Sequence, residues 1–206
     1  MINYDLTKIR AIFFDVDGVL SRETINMHPS GEPMRSVNIK DGYAMQHAMK
    51  CGFILAIITG GKTQAVEKRY SGLGIKEIHQ GASIKMKVYE QLLEKYGLKD
   101  EEVMYMGDDI PDYALMKRCG CPVCPRDACH EIQEIALYIS PRNEGEVLEH
   151  GDDNSLIVTN INKKIDSLTY FVGTVSDHEL EIDDNKDIIS LRNLCGKNRH
   201  IKFVIR

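Results

Sequence analysis

The sequence predicts a doubly wound α/β fold around a parallel sheet. Two observations carry this reading. Short apolar runs of strand length recur along the chain, and each stops abruptly at polar residues: Arg10 to Phe14 before Asp15-Val-Asp17-Gly18, Ile54 to Thr59 before Gly60-Gly61, and Val103 to Gly107 before Asp108-Asp109. Segments of helical periodicity lie between these runs. Strands that alternate with helices pair in parallel, and such sheets bind ligands beyond the carboxyl ends of their strands.

The elements follow in order. Arg10 to Phe14 is rich in aromatic and β-branched residues, as a strand buried on both faces requires. Thr24 to Met27 and Arg35 to Ile39 flank Pro29-Ser-Gly-Glu-Pro33, so Ser21 to Lys40 reads as a β-hairpin on a Gly/Pro turn. Helices are predicted over Asp41 to Lys50, Thr63 to Leu73, Ile84 to Tyr96 and Pro111 to Arg118, the last with Pro in its first turn, where a missing N–H costs nothing. Weaker strands around Glu77 to His79, Cys121 to Cys124 and Leu137 to Ser140 extend the sheet. From about Val147 the character changes, with Asp/Asn-rich stretches alternating with short apolar runs such as Leu156 to Val158 and Ile201 to Ile205.

A chain of 206 residues, 43% hydrophobic and 28% charged, buries a core without disulfides or a structural metal, so its 6 Cys read as reduced thiols. The longest apolar run, Phe53 to Ile58, falls far short of the roughly 20 residues that span a bilayer, and no secretory leader pattern opens the chain. A cytoplasmic protein without membrane partners is expected. The formal charge of −5, with no basic block, speaks against nucleic acid and leaves small molecules as the expected partners.

Asp15 and Asp17 leave the first strand two residues apart, where both carboxylates can face one side and Gly18 lets the backbone turn. Carboxylates so close repel unless a hard cation such as Mg²⁺ lies between them, and Asp108 with Asp109 brings more oxygens from another strand end. Thr59 and Gly60 offer a hydroxyl and backbone N–H groups at a helix start, where the dipole favours an anion. Lys85 opens the next helix and adds a positive charge, in competition with Lys87. Carboxylates, a divalent cation, amides, a hydroxyl and an ammonium together specify a phosphoryl group.

Asp15-Val-Asp17-Gly18-Val19, then Ile58-Thr59-Gly60, then Lys85, then Gly107-Asp108-Asp109-Ile-Pro-Asp112 resemble the four ordered motifs of the haloacid dehalogenase-like phosphohydrolases. Asp17-Gly-Val-Leu-Ser21, Asn38-Ile-Lys-Asp-Gly42 and Gln80-Gly81 narrow the resemblance to the 3-deoxy-D-manno-octulosonate 8-phosphate phosphatases, over roughly Ile9 to Glu146. The resemblance implies a phosphatase domain over residues 1–146 with a Rossmann-like core. It implies that Asp15 is the nucleophile and Asp17 the acid/base. Asp15, Asp17 through its backbone carbonyl, and Asp108 would hold Mg²⁺, and Thr59, Gly60 and Lys85 would hold the phosphoryl oxygens. Asp109 and Asp112 are candidates for supporting the metal ligands, although Asp112 could equally cap its helix. The substrate implied is a sugar-acid phosphate, 3-deoxy-D-manno-octulosonate 8-phosphate of lipopolysaccharide biosynthesis. A nine-carbon ulosonate 9-phosphate, or a binding protein on a catalytically impaired scaffold, are the alternatives.

The spacing of the motifs leaves room for the hairpin and ordinary crossovers, hence for no cap domain. An uncapped site has to exclude water by other means. In the resembling family a hairpin at the place of Ser21 to Lys40 helps cover a neighbour's site, which implies a homotetramer. Cys119, Cys121, Cys124, Cys129 and His130 have the ligand types of a zinc site but lack a second separated Cys pair, and they read better as small apolar residues. His28, His47, His79 and His150 read as surface or structural residues. The resemblance departs in two places. Relatives often carry Arg directly after the Gly of the second motif, where this chain has Gly61, and Lys62 or Lys68 would have to compensate. The segment 147–206 does not match the family, and reads either as an appended set of β-strands or as unrelated sequence introduced by a reading-frame slip near Val147.

Overall fold

Strand β1 (Ala11–Phe14) is four apolar residues buried on both sides, and the rest of the fold is arranged about it. The computed structural model describes residues 4–141 and, beyond them, the backbone of 154–157, 172–175, 189–191 and 201–203. β1 pairs in parallel with β4 (Ile54–Thr59) on one side and with β6 (Val103–Met106) on the other. With β5 (Glu77–Gln80), β7 (Cys121–Cys124) and β8 (Tyr138–Ile139) they form a 6-stranded sheet of order β5-β4-β1-β6-β7-β8, every pairing parallel. The chain passes from β1 outward to β5, then returns to the other side of β1, so the strand order reverses beside β1. That is where an open α/β sheet leaves a crevice for a ligand.

The two-residue period of the strands sorts the core into two layers. Ile12, Phe14, Leu55, Ile57, Met104 and Met106 face one side, against α1 (Ile39–Lys50) with Ala44 and Met45, and α2 (Gln64–Gly72) with Val66 and Tyr70. Ala11, Phe13, Ala56, Ile58, Val103 and Tyr105 face the other, against α3 (Lys85–Tyr96) with Tyr89 and Leu92, α4 (Ile110–Met116) with Leu115, and α5 (His130–Ile135) with Ile132. The fold is therefore doubly wound, as expected. Local signals set the helix ends. Asn38 caps α1 by accepting the Lys40 N–H at 2.8 Å, so the helix starts two residues before the Asp41 that periodicity indicated. Thr63 caps α2, and Gly97 closes α3 in the left-handed region.

The hairpin differs from expectation in its second arm. The paired strands are β2 (Asn26–Met27) and β3 (Pro33–Met34), joined through a turn in which His28 N–H reaches the Glu32 carbonyl at 2.8 Å. Arg35 to Ile39 is not a strand: Asn38 and Ile39 are taken by the start of α1, and Arg35 turns inward to an ion pair described below. His130 opens a short helix, α5, and α4 ends two residues before the expected Arg118.

Beyond residue 141, β9 (Asn154–Ile157) pairs antiparallel with β10 (Val172–Val175), and β11 (Ile189–Leu191) with β12 (Ile201–Phe203). The remainder of 147–206, His150 included, lies outside the described residues, as does the point of departure near Val147. Among the described residues no helix is long and apolar enough to cross a membrane.

Candidate active site

The strand register brings the polar ends together. Phe14 pairs with Ile57 of β4 and Met106 of β6, so the next residues of all three strands emerge at one edge of the sheet. Asp15 is held there by its own N–H, which donates to the Met106 carbonyl at 3.0 Å. The chain then winds tightly: the Val16 carbonyl accepts from Leu20 at 2.9 Å and from Ser21 at 2.8 Å. Gly18 takes φ +87°, and a Cβ on it would lie 1.8 Å from Asp108 Oδ2. The absence of a side chain at 18 is thus what admits the Asp108 carboxylate beside the loop.

Lys85 crosses from the first turn of α3 into this cluster and is almost wholly buried. Its Nζ lies 2.7 Å from Asp15 Oδ2 and 2.7 Å from Asp112 Oδ1. Asp112, in the first turn of α4, is fully buried and also accepts from the Tyr105 hydroxyl and, at 3.3 Å, from the Asp108 N–H. One oxygen each of Asp15, Asp108 and Asp112 fall within 4.8 Å of one another. Burial, with Asp112 close by, pushes the Asp15 carboxyl up to about 6 although Lys85 opposes it. Burial disfavours the Lys85 ammonium, but Asp15 and Asp112 outweigh it and hold its pKa above the ordinary lysine value. Burial, with Asp112 and Asp15 adjacent, keeps the Tyr105 phenol protonated as a donor.

This donor set suits a hard divalent cation. Asp15 Oδ1 is buried without a hydrogen-bond partner, a costly state for a carboxylate oxygen and a position a cation would satisfy. The ligands are hard oxygens within the span of one ion, which favours Mg²⁺ over softer metals.

Asp17 stands apart from that cluster. Its carboxylate is part-exposed and gripped by Arg35, with Nε at 2.6 Å from Oδ1 and Nη2 at 2.8 Å from Oδ2. That hydrogen bonding to Asp17 raises the Arg35 pKa further. Thr59 ends β4 buried, and its hydroxyl accepts the Gly61 N–H at 3.2 Å, while Gly60 lies exposed at the turn. Of the two competing lysines, Lys85 is buried in the cluster and Lys87 is exposed. Asp109 is exposed at the N-cap of α4 and its side chain caps nothing, so it is not drawn into the cluster. Asp112 is drawn in, as an acceptor of three donors rather than as a cap. Lys62 and Lys68 are exposed.

Two residues of the site escaped sequence reasoning. Tyr105 sits within an apolar run, and its only signal was a hydroxyl that has to find an acceptor once buried. Arg35 carried no local signal, because its partner is 18 residues away. Among the described residues, Cys121 is buried in one core layer and Cys119 and Cys124 in the other, and burial pushes Cys121 and Cys124 up to about 12. Burial of this kind suits a thiol to packing rather than to ionisation.

A family model for haloacid dehalogenase-like hydrolases matches residues 74–150. The 3-deoxy-D-manno-octulosonate 8-phosphate phosphatase of Escherichia coli is 42% identical over 132 residues, covering 64% of this chain and 70% of that protein. The chain belongs to this phosphatase family of haloacid dehalogenase-like hydrolases. The phosphatase of Yersinia pestis is a further relative, 38% identical over 64% of this chain and 71% of its own length. Its crystal structure superposes with TM-score 0.66 and 34% identity over 68% of this chain and 76% of that one. The Moraxella catarrhalis phosphatase in complex with magnesium ion, phosphate ion and a KDO molecule superposes with TM-score 0.66 and 31% identity, over 68% of this chain and 80% of that one. Asp15, Thr59 and Asp108 thus follow strand ends that share one edge of the sheet.

Proposed function

We propose that the chain hydrolyses 3-deoxy-D-manno-octulosonate 8-phosphate to the free sugar acid and phosphate through an aspartyl-phosphate on Asp15. The observation that carries this is the buried Asp15–Lys85–Asp112 chain beside Asp108 in a member of this phosphatase family. Residues 1–146 form the catalytic domain, which acts in the cytoplasm on a step of lipopolysaccharide biosynthesis.

The reaction divides into two displacements. An Asp15 oxygen attacks phosphorus, the bond from phosphorus to the sugar oxygen breaks, and Asp17 gives its proton to that oxygen. Water then attacks the phosphorus of the aspartyl-phosphate, Asp17 takes a proton from it, and phosphate leaves with Asp15 restored. One acid/base serves both steps in opposite senses. Lys85 neutralises charge on the phosphoryl oxygens, and the Thr59 hydroxyl with the Gly60 amide orients them. Asp112, fixed by Tyr105, keeps the Lys85 ammonium aimed at Asp15. Asp15 and Asp108, with the Asp17 carbonyl, would hold Mg²⁺, which supplies charge neutralisation to the entering and transferring oxygens. Asp109 belongs to the turn that orients Asp108.

Without a cap domain, the site is closed by a neighbouring subunit of a homotetramer. Met27 at 60% exposure and Met34 at 51% support this, because they put apolar surface on the hairpin that such a contact would cover. The test is Mg²⁺-dependent phosphate release from eight-carbon and nine-carbon ulosonate phosphates side by side, with sizing of the active species. Selective turnover of the eight-carbon compound by a tetramer is expected. Selective turnover of the nine-carbon compound would reassign the substrate, and a fully active monomer would remove the tetramer.

A further inference from the structure

Among the described residues, the two displacements leave the part-buried cation Arg35 without a task. Arg35 follows β3 directly, and its side chain is 9% exposed. Its guanidinium makes the bidentate pair with Asp17, and its third arm, Nη1, donates to Thr63 Oγ1 at 3.1 Å. Thr63 also caps α2, accepting the Val66 N–H at 3.4 Å. One guanidinium therefore ties the hairpin to the catalytic loop and to the start of α2. The space it uses depends on a glycine. A Cβ on Gly61 would lie 2.7 Å from Arg35 Nη2 and 3.4 Å from Asp17 Oδ2. A side chain at 61 would make the guanidinium shift from this position against the Asp17 oxygens.

We propose that Arg35 is a positioning residue for the acid/base steps, with Gly61 as the vacancy that admits it. The proposal rests on the reading of Asp17 as the acid/base. A carboxylate on a part-exposed loop rotates about its side-chain torsions, and proton transfer needs it within hydrogen-bond reach of one particular oxygen. The planar fork of Arg fixes both the position and the plane of the carboxylate, which a point charge would not do. Two donors of one rigid group, one on each Asp17 oxygen, hold that carboxylate in a single orientation. Because Arg35 lies on the hairpin arm, the catalytic loop is set by the same segment that the functional reading assigns to covering the site.

Leaving-group dependence tests this. Expelling nitrophenolate needs no proton, whereas expelling a sugar alkoxide does. Phosphoryl transfer to the enzyme is measured in the pre-steady state with p-nitrophenyl phosphate and with 3-deoxy-D-manno-octulosonate 8-phosphate, for wild type, Arg35→Met, Gly61→Ala and Asp17→Asn. Arg35→Met and Asp17→Asn are each expected to slow transfer from the sugar phosphate by about 100-fold, the scale of lost general-acid catalysis, and transfer from the nitrophenyl ester by less than about 5-fold. Gly61→Ala pushes only on the far end of a flexible side chain, so it keeps the fold and shows the same selective loss to a smaller degree. A merely structural role would slow both substrates alike. Equal losses in Arg35→Met and Gly61→Ala, or no loss, alongside a selective loss in Asp17→Asn, would overturn the role of Arg35 alone. If Asp17→Asn itself shows no selectivity, the acid/base reading of Asp17 falls instead.

Discussion

Lys85 Nζ bridges Asp15 and Asp112 at 2.7 Å to each, with all three side chains at most one-tenth exposed. One ammonium thus serves two buried carboxylates, and the balance is maintained only while it is present. Removing one partner of a buried ion pair leaves an uncompensated charge, which costs several times more than an exposed pair contributes. Lys85→Met is therefore expected to lower stability by about 3 kcal/mol in chemical denaturation and to abolish phosphate release. Unchanged stability would mean that the carboxylates are compensated by something else.

Gly18→Ala tests the packing of the loop on Asp108. Its Cβ would lie 1.8 Å from Asp108 Oδ2, and φ +87° is strained for any residue with a side chain. The carboxylate has to move, so Mg²⁺ affinity is expected to fall at least tenfold by calorimetry, with a stability loss of about 1–3 kcal/mol. Wild-type affinity would show that Asp108 is not required where it lies.

Asp41 predicts a pH dependence away from the chemistry. Its Oδ1 is buried without a hydrogen-bond partner beside a small cavity of about 10 Å³ lined by Asn38, Arg69 and Tyr70. Burial pushes its carboxyl up to about 7 from the ordinary 3.8, with Arg69 opposing. The folded state binds the proton more tightly than the unfolded chain, so this contribution to stability is whole below about pH 4 and is lost as pH rises through 7. Asp41→Asn is expected to remove that loss, raising stability at pH 8 relative to wild type by the order of 2–4 kcal/mol. Parallel melting curves of the two proteins from pH 4 to 8 would contradict it.

Cys121→Ser separates packing from metal chemistry. The thiol is fully buried among Met104, Val123 and their neighbours, and a hydroxyl there needs a partner the thiol did not. A stability loss of about 1–2 kcal/mol with near-normal turnover is expected, as is an absence of zinc in elemental analysis of the wild type. Stoichiometric zinc would overturn the packing role.

The sheet was legible because each strand obeys a short-range rule. Val103 to Met106 is a run of apolar residues that ends at Gly107, and burial on both faces leaves no other reading for it. The site was legible where residues leave strand ends, as Asp15, Thr59 and Asp108 do, since topology alone brings such ends together. What the sequence concealed acts over distance. Arg35 reads as part of a hairpin arm because it follows the Gly/Pro turn, and only folding brings it to Asp17. Tyr105 was one more large residue in a core run until its hydroxyl met Asp112. The helix α5 is 6 residues long, too short for periodicity to announce it.

The central claim is that Asp15 carries the phosphoryl group. Rapid acid quench of the enzyme during turnover of 3-deoxy-D-manno-octulosonate 8-phosphate with Mg²⁺, followed by digestion and mass spectrometry, measures it directly. One phosphoryl group on Asp15, absent from a fully inactive Asp15→Asn protein, is the expected result. An unmodified Asp15 peptide together with an active Asp15→Asn variant would contradict the account.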